Sequence, residues 1–130
     1  MADELVLIVD DNEKNLRLAR DVLRFAGFRT VEAASGGEGV SQAVEHLPDV
    51  ILMDIRLPDM EGTEAARQIK GNKRTAHIPV VALTSLAMKG DREVFLAAGF
   101  EGYLEKPISV LELPDQVRSF CGPEAPGSDV

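Results

Sequence analysis

The sequence predicts an α/β domain in which a parallel five-stranded sheet is covered on both faces by five helices. Three observations predict it. Two apolar runs, Leu5 to Val9 and Val50 to Met53, are too short to span a membrane and lack the polar alternation of a half-exposed strand, so each reads as a strand buried on both faces. Both runs end in carboxylates, Asp10 and Asp11 after the first and Asp54 after the second. Strand-like runs then alternate with helical spacings along the chain, as in a parallel sheet built from strand-helix-strand units.

Taken in order, Leu5 to Val9 opens the sheet. Asn12 can cap the helix behind it, where Leu16, Ala19, Leu23 and Ala26 fall at helical spacing and Gly27 supplies the stop. Thr30 to Ala34 is a weaker strand with Glu32 inside it and reads as an edge. Ser35 with Glu38 makes a capping box for a helix bearing Val40, Ala43, Val44 and Leu47, ended by Pro48. Val50 to Met53 is the central strand, and a loop with Pro58 and Gly62 leads from Asp54 to a helix from Thr63 to Lys70. The polar connector 71–77 delivers the chain through Pro79 to the strand Val80 to Leu83, with Thr84 at its tip. A helix follows to Ala98, its start delayed by Gly90 and its end marked by Gly99. Gly102 to Leu104 is a short last strand leading to Glu105, Lys106 and Pro107. Ser109 and Glu112 read as a capping box on a final helix carrying Val110, Leu113, Val117 and Phe120, with Pro114 tolerated only in its first turns. Residues 1–121 are therefore expected to form one domain, and 122–130 a flexible tail.

Composition narrows the function classes. The 14 Lys and Arg against 22 Asp and Glu give a formal net charge of -8, which opposes free binding to nucleic acid or anionic lipid. The one cysteine, Cys121, cannot form an internal disulfide and reads as packed against the sheet. With no basic leader at the start and no long apolar stretch, a cytoplasmic protein without membrane contact is expected. His46, His77, Lys73 and Arg74 read as solvated, and Met53 and Met88 as core or helix fillers.

Parallel connections are overwhelmingly right-handed, so helices cover both faces only if the strand order reverses once, and that reversal opens a crevice at the carboxyl ends of the strands. Asp10, Asp11, Asp54, Thr84 and Lys106 all lie at such ends. Two unit charges about 4 Å apart repel by roughly 4 kcal/mol at an effective dielectric near 20, so three acids there need a positive partner. Hard oxygen donors favour Mg²⁺ or Mn²⁺. Ion, Lys106 ammonium and Thr84 hydroxyl together would cradle a phosphoryl group beside a carboxylate nucleophile.

These residues give the chain a clear resemblance to the receiver domain of a bacterial two-component response regulator. The resemblance runs from Leu5 to about Phe120 and rests on the pair Asp10 and Asp11, on Asp54 in MDIRLPDMEG, on Thr84 and on Lys106-Pro107. It implies a doubly wound, flavodoxin-like sheet of strand order 2-1-3-4-5. It further implies that Asp54 accepts a phosphoryl group from a phosphohistidine of a sensor histidine kinase or phosphotransfer protein. Asp10, Asp11, Asp54 and the Arg56 backbone carbonyl would hold Mg²⁺, and Thr84 and Lys106 would bind the phosphoryl oxygens. Tyr103 resembles the aromatic switch residue of the family, although a tyrosine on a short strand also serves as plain core with a wet hydroxyl. The Lys106-Pro107 bond is expected to be cis, a geometry that proline permits.

With no DNA-binding, cyclase or kinase segment after Phe120, the chain resembles the stand-alone regulators of chemotaxis and the cell cycle, as a monomer or weak homodimer. Its output is expected through a downstream protein on the fourth helix, fifth strand and fifth helix, with Phe95, Tyr103 and Glu105 as candidates. No enzymatic turnover is expected beyond Mg²⁺-dependent self-phosphorylation and slow autodephosphorylation. The alternatives are a docking module of the same fold without chemistry, and a Mg²⁺-dependent aspartyl phosphohydrolase of the haloacid dehalogenase type. The latter needs a second acid two residues after its nucleophile, where this chain has Arg56. A flavodoxin-like electron carrier would need a hydroxyl- and glycine-rich phosphate loop where Asp10, Asp11 and Asn12 stand.

Neither the bulky cation Arg56 nor Leu86, two residues past Thr84, offers an acid or amide to orient an attacking water. The acyl phosphate is therefore expected to be lost slowly. Arg56→Asn should shorten the phosphoryl half-life, measured by decay of the labelled protein; an unchanged or longer half-life would count against this role.

Overall fold

The structure, a computed structural model, describes residues 4–85 and 91–121. Leu86, Met88, Gly90 and the tail 122–130, all singled out above, lie outside the described residues. Strands and helices alternate as β1 (Leu5–Val9), α1 (Glu13–Phe25), β2 (Arg29–Ala33), α2 (Gly36–His46), β3 (Val50–Asp54), α3 (Gly62–Lys70), β4 (Val80–Thr84), α4 (Asp91–Ala98), β5 (Gly102–Glu105) and α5 (Leu113–Phe120). The five strands pair in parallel in the order β2-β1-β3-β4-β5, the doubly wound order expected.

Side chains on a strand point to alternate faces, and the buried residues sort accordingly. Leu7, Val9, Ile51, Met53, Val80 and Ala82 pack on one face under Ala43 of α2, Ala65, Ala66 and Ile69 of α3, and Phe95 and Ala98 of α4. Val6, Ile8, Val50, Leu52, Val81 and Leu83 face the other way, under Leu16, Ala19 and Leu23 of α1 and Leu113 and Val117 of α5. Every residue of β1, β3 and β4 is buried, which is why these runs show no polar alternation.

Several element ends differ from expectation by a residue or more, and three of the differences have a clear local reason. β2 ends at Ala33 because the Ala34 N–H donates to Glu38 Oε1 at 2.9 Å, drawing Ala34 into the cap of α2. Ser35 Oγ accepts from Glu38 N at 3.2 Å, so the capping box is present with its return bond one residue early. Leu47, expected inside α2, instead takes a left-handed conformation with φ 49° and is exposed. The residue before a proline is disfavoured in the helical region, and Pro48 follows. Val110 lies before α5 and is exposed; Ser109 Oγ accepts from Glu112 N in the turn ahead of the helix. Pro114 has no N–H to offer to the carbonyl of Val110, so α5 starts with the proline in its first turn. Gly27 and Gly99 end their helices with φ of 102° and 104°.

Gly62 closes the loop behind Asp54. Its N–H donates to the Ile55 carbonyl at 2.6 Å, and a Cβ there would overlap the Asp54 carbonyl oxygen and stand 2.9 Å from Ile55 Cα. Gly62→Ala is therefore expected to destabilise the fold by about 1–3 kcal/mol, the usual cost of overpacking, read as a lower urea midpoint.

Candidate functional site

The carboxyl ends of β1, β3, β4 and β5 meet at one edge of the sheet. Asp10 directly follows β1, Asp54 ends β3, Thr84 ends β4 and Lys106 directly follows β5. Parallel pairing brings these ends level, with Val9 opposite Met53, Asp54 opposite Leu83 and Thr84 opposite Glu105. Asp10 is 1% exposed and Asp54 and Thr84 are each 7% exposed. Buried carboxylates need partners, and Lys106 supplies one to both acids: its Nζ lies 3.2 Å from Asp10 Oδ2 and 3.0 Å from Asp54 Oδ2. The Lys106-Pro107 bond is cis.

Backbone and amide donors complete the shell. Asp10 Oδ1 accepts from Asn12 N at 2.9 Å, and Asp10 Oδ2 accepts from Asn15 Nδ2 at 3.2 Å. Asp54 Oδ1 accepts from Arg56 N at 3.4 Å. Asp11 is exposed, and one oxygen from each of Asp10, Asp11 and Asp54 can lie within 4.8 Å of the others. The pocket over them has a volume of about 630 Å³ and is lined also by Asn15, Arg56, Thr84, Ser85 and Phe95.

The charges do not balance. Burial, helped by the charge of Asp10, pushes the Asp54 carboxyl above its ordinary range, against the opposing pull of Lys106. Burial would lower the Lys106 ammonium, but the two carboxylates outweigh it and hold the group above its ordinary range. Two acids sharing one ammonium, with Asp11 beside them, leave a site of hard oxygen donors with negative charge to spare, and such a donor set fits Mg²⁺ or Mn²⁺.

The structure thus brings together Asp10, Asp11, Asp54, Arg56, Thr84 and Lys106, which the sequence singled out. Tyr103 stands apart from the acids, 36% exposed on β5, with its ring centroid 5.9 Å from that of Phe95. Phe95 links the two places, since it lines both the acidic pocket and a smaller cavity beside Tyr103. Two residues of the site region escaped sequence reasoning. Asn15 stands three residues after the Asn12 cap, a spacing that places it in the first turn of α1, and this was the available signal. Asp59 left none, because its partners are distant in sequence: its Oδ1 and Oδ2 accept from Gly36 N and Gly37 N of α2, both at 2.8 Å. Those amides hold Asp59 below its ordinary range.

The chain is similar in sequence and fold to known proteins. The sequence profile of the response regulator receiver domain matches residues 6–118. The polar-differentiation response regulator DivK of Brucella ovis is 44% identical over 117 residues, spanning 90% of this chain and 95% of DivK. Among solved structures, the receiver domain of the sensor histidine kinase PA1611 from Pseudomonas aeruginosa is 37% identical, with a TM-score of 0.84 over 92% of this chain and 98% of that domain; it is described with a magnesium ion coordinated in its active site cleft. The Vibrio cholerae chemotaxis protein CheY4 is 27% identical, with a TM-score of 0.87 over 92% of this chain and 99% of its own.

Because the Asp54 carboxyl is raised above its ordinary value near 3.8, the folded state holds that proton more tightly than the unfolded state. Its contribution to stability is present below the unfolded value and is lost as pH rises through the raised, folded value. Asp54→Asn keeps the shape and cannot ionise. With a chelator present, this variant is expected to be more stable than the parent near neutral pH, and the gap should close as pH falls towards the ordinary carboxylate range. Urea midpoints measured across that range check it.

Proposed function

Because the chain belongs to the response regulator receiver domain family, we propose that Asp54 accepts a phosphoryl group from a phosphohistidine of a sensor histidine kinase or phosphotransfer protein, in a Mg²⁺-dependent reaction. The observation that carries this reading is the Lys106 ammonium shared between Asp10 and Asp54 at the mouth of the acidic pocket. A carboxylate oxygen of Asp54 attacks phosphorus, an O–P bond forms as the P–N bond to the donor imidazole breaks, and the electron pair of that bond stays on the ring nitrogen. Asp10, Asp11 and Asp54, with the Arg56 carbonyl, are the residues to hold the ion, which when bound neutralises charge on the phosphoryl oxygens.

Lys106 follows the new negative charge, exchanging part of its contact with the carboxylates for a phosphoryl oxygen. Thr84, at the neighbouring strand tip, donates its hydroxyl to another. Movement at Thr84 is felt by Phe95, which lines the same pocket, and through ring contact by Tyr103. This supports Tyr103 as the switch residue and the face formed by α4, β5 and α5 as the docking surface for a downstream protein, with Glu105 exposed beside it. The formal charge of -8 favours protein partners over nucleic acid, and no helix among the described residues is long and apolar enough to cross a membrane. A cytoplasmic regulator, monomeric or weakly dimeric, accords with these features. Its chemistry is limited to taking up the phosphoryl group and losing it slowly.

Incubation with Mg²⁺ and acetyl phosphate or phosphoramidate, followed by intact-mass measurement, tests the chemistry. The parent is expected to gain one phosphoryl group, and Asp54→Ala and chelator-treated parent none. A parent that gains nothing while still folding would leave a docking module of receiver fold as the reading.

A further inference from the structure

Asp10 is the most buried charged group at the site, at 1% exposure, and its carboxylate is held from three directions. Oδ1 takes the Asn12 N–H at 2.9 Å, while Oδ2 takes both the Asn15 side-chain amide and the Lys106 ammonium, each at 3.2 Å. The two donors on Oδ2 differ in kind. Lys106 is shared with Asp54 and carries a charge that competes with any cation for the same oxygen. Asn15 is neutral and half-buried, and its side-chain amide donates to Asp10.

We propose that Asn15 is a positioning residue: its amide fixes Asp10 Oδ2 so that the carboxylate keeps its orientation when a divalent ion enters the pocket and Lys106 gives up that oxygen. The inference rests on the reading of Asp54 as phosphoryl acceptor. Without a second donor on Oδ2, a carboxylate that lost its ammonium would be held only at Oδ1 by the Asn12 N–H and free to turn about it, which weakens ion binding. An ammonium or guanidinium in place of Asn15 would hold Asp10 equally well but would displace the ion. A neutral amide holds the oxygen and leaves its charge available.

The helix gives the amide its aim. Asn12 caps α1, its Oδ1 accepting from Lys14 N at 2.9 Å and from Asn15 N at 3.2 Å. The cap therefore fixes the backbone of Asn15, and the Asn15 side chain in turn fixes Asp10. This resembles the outer-shell partners that orient metal ligands generally, whose loss lowers metal affinity by about 10- to 100-fold.

Titration calorimetry with Mg²⁺ alone, on the whole chain without phosphodonor, tests the proposal. Asn15→Ala, which suits a helix at least as well as asparagine, should keep the parent's thermal midpoint and bind Mg²⁺ about tenfold more weakly. Asn15→Gln, which retains an amide on a longer arm, should fall between. Phosphoryl incorporation from acetyl phosphate should then need more Mg²⁺ in Asn15→Ala while reaching the parent's maximal rate, a split that a merely structural role would not produce. Equal Mg²⁺ affinity in parent and Asn15→Ala, or an incorporation rate that extra Mg²⁺ does not restore, would overturn the proposal while the parent's own phosphorylation stands. A folded parent that neither binds Mg²⁺ nor gains a phosphoryl group would instead overturn the acceptor reading, and this proposal with it.

Discussion

The Lys106 ammonium, 3.2 Å from Asp10 and 3.0 Å from Asp54, joins residues that no local stretch of chain could bring together. Its geometry requires that β1, β3 and β5 all end at the same edge, which a parallel sheet provides. It also requires β1 and β3 to be neighbours although β2 lies between them in sequence, which the single reversal of strand order provides. One ammonium cannot satisfy two nearly buried acids with a third nearby. Burial, with the charge of Asp10 beside it, raises Asp54, and the charge left unbalanced makes the pocket receptive to a further cation.

Holding such a deficit needs a stiff frame. The apolar residues of β1, β3 and β4 are buried on both faces, and each buried methylene contributes about 0.8 kcal/mol, so the strand tips are set by packing rather than by their own polar contacts. Small residues set the height of the helices over those tips. A Cβ on Gly39 would stand 2.9 Å from Val9 Cγ2, so α2 lies directly against the strand that delivers Asp10. The aromatic side differs: Phe95 touches Phe100 edge-on at 5.8 Å and Tyr103 at 5.9 Å, and Tyr103 remains partly open to solvent.

Most of the fold and the central acids were legible in the sequence because their signals are local. An apolar run closed by a carboxylate marks a buried strand tip wherever it occurs, and it occurs at Asp10 and at Asp54. Thr84 and Lys106 became legible once the other strands were placed. What was not legible depended on competition or on distance. Ala34 is drawn from strand to cap by the Glu38 carboxylate, and Pro48 and Pro114 move the ends of α2 and α5 by their effect on neighbouring residues. Asn15 and Asp59 act on other elements, and periodicity carries no information about which elements a side chain will reach.

Asp59 spans the gap between the loop after β3 and the start of α2, giving one oxygen to each of two consecutive amides. Lifting that loop would strand both donors at a helix terminus that has few other acceptors at hand. A molecule settling over Asp54 therefore meets an abutment on the α2 flank, where the loop is tied to the helix by both oxygens of one side chain.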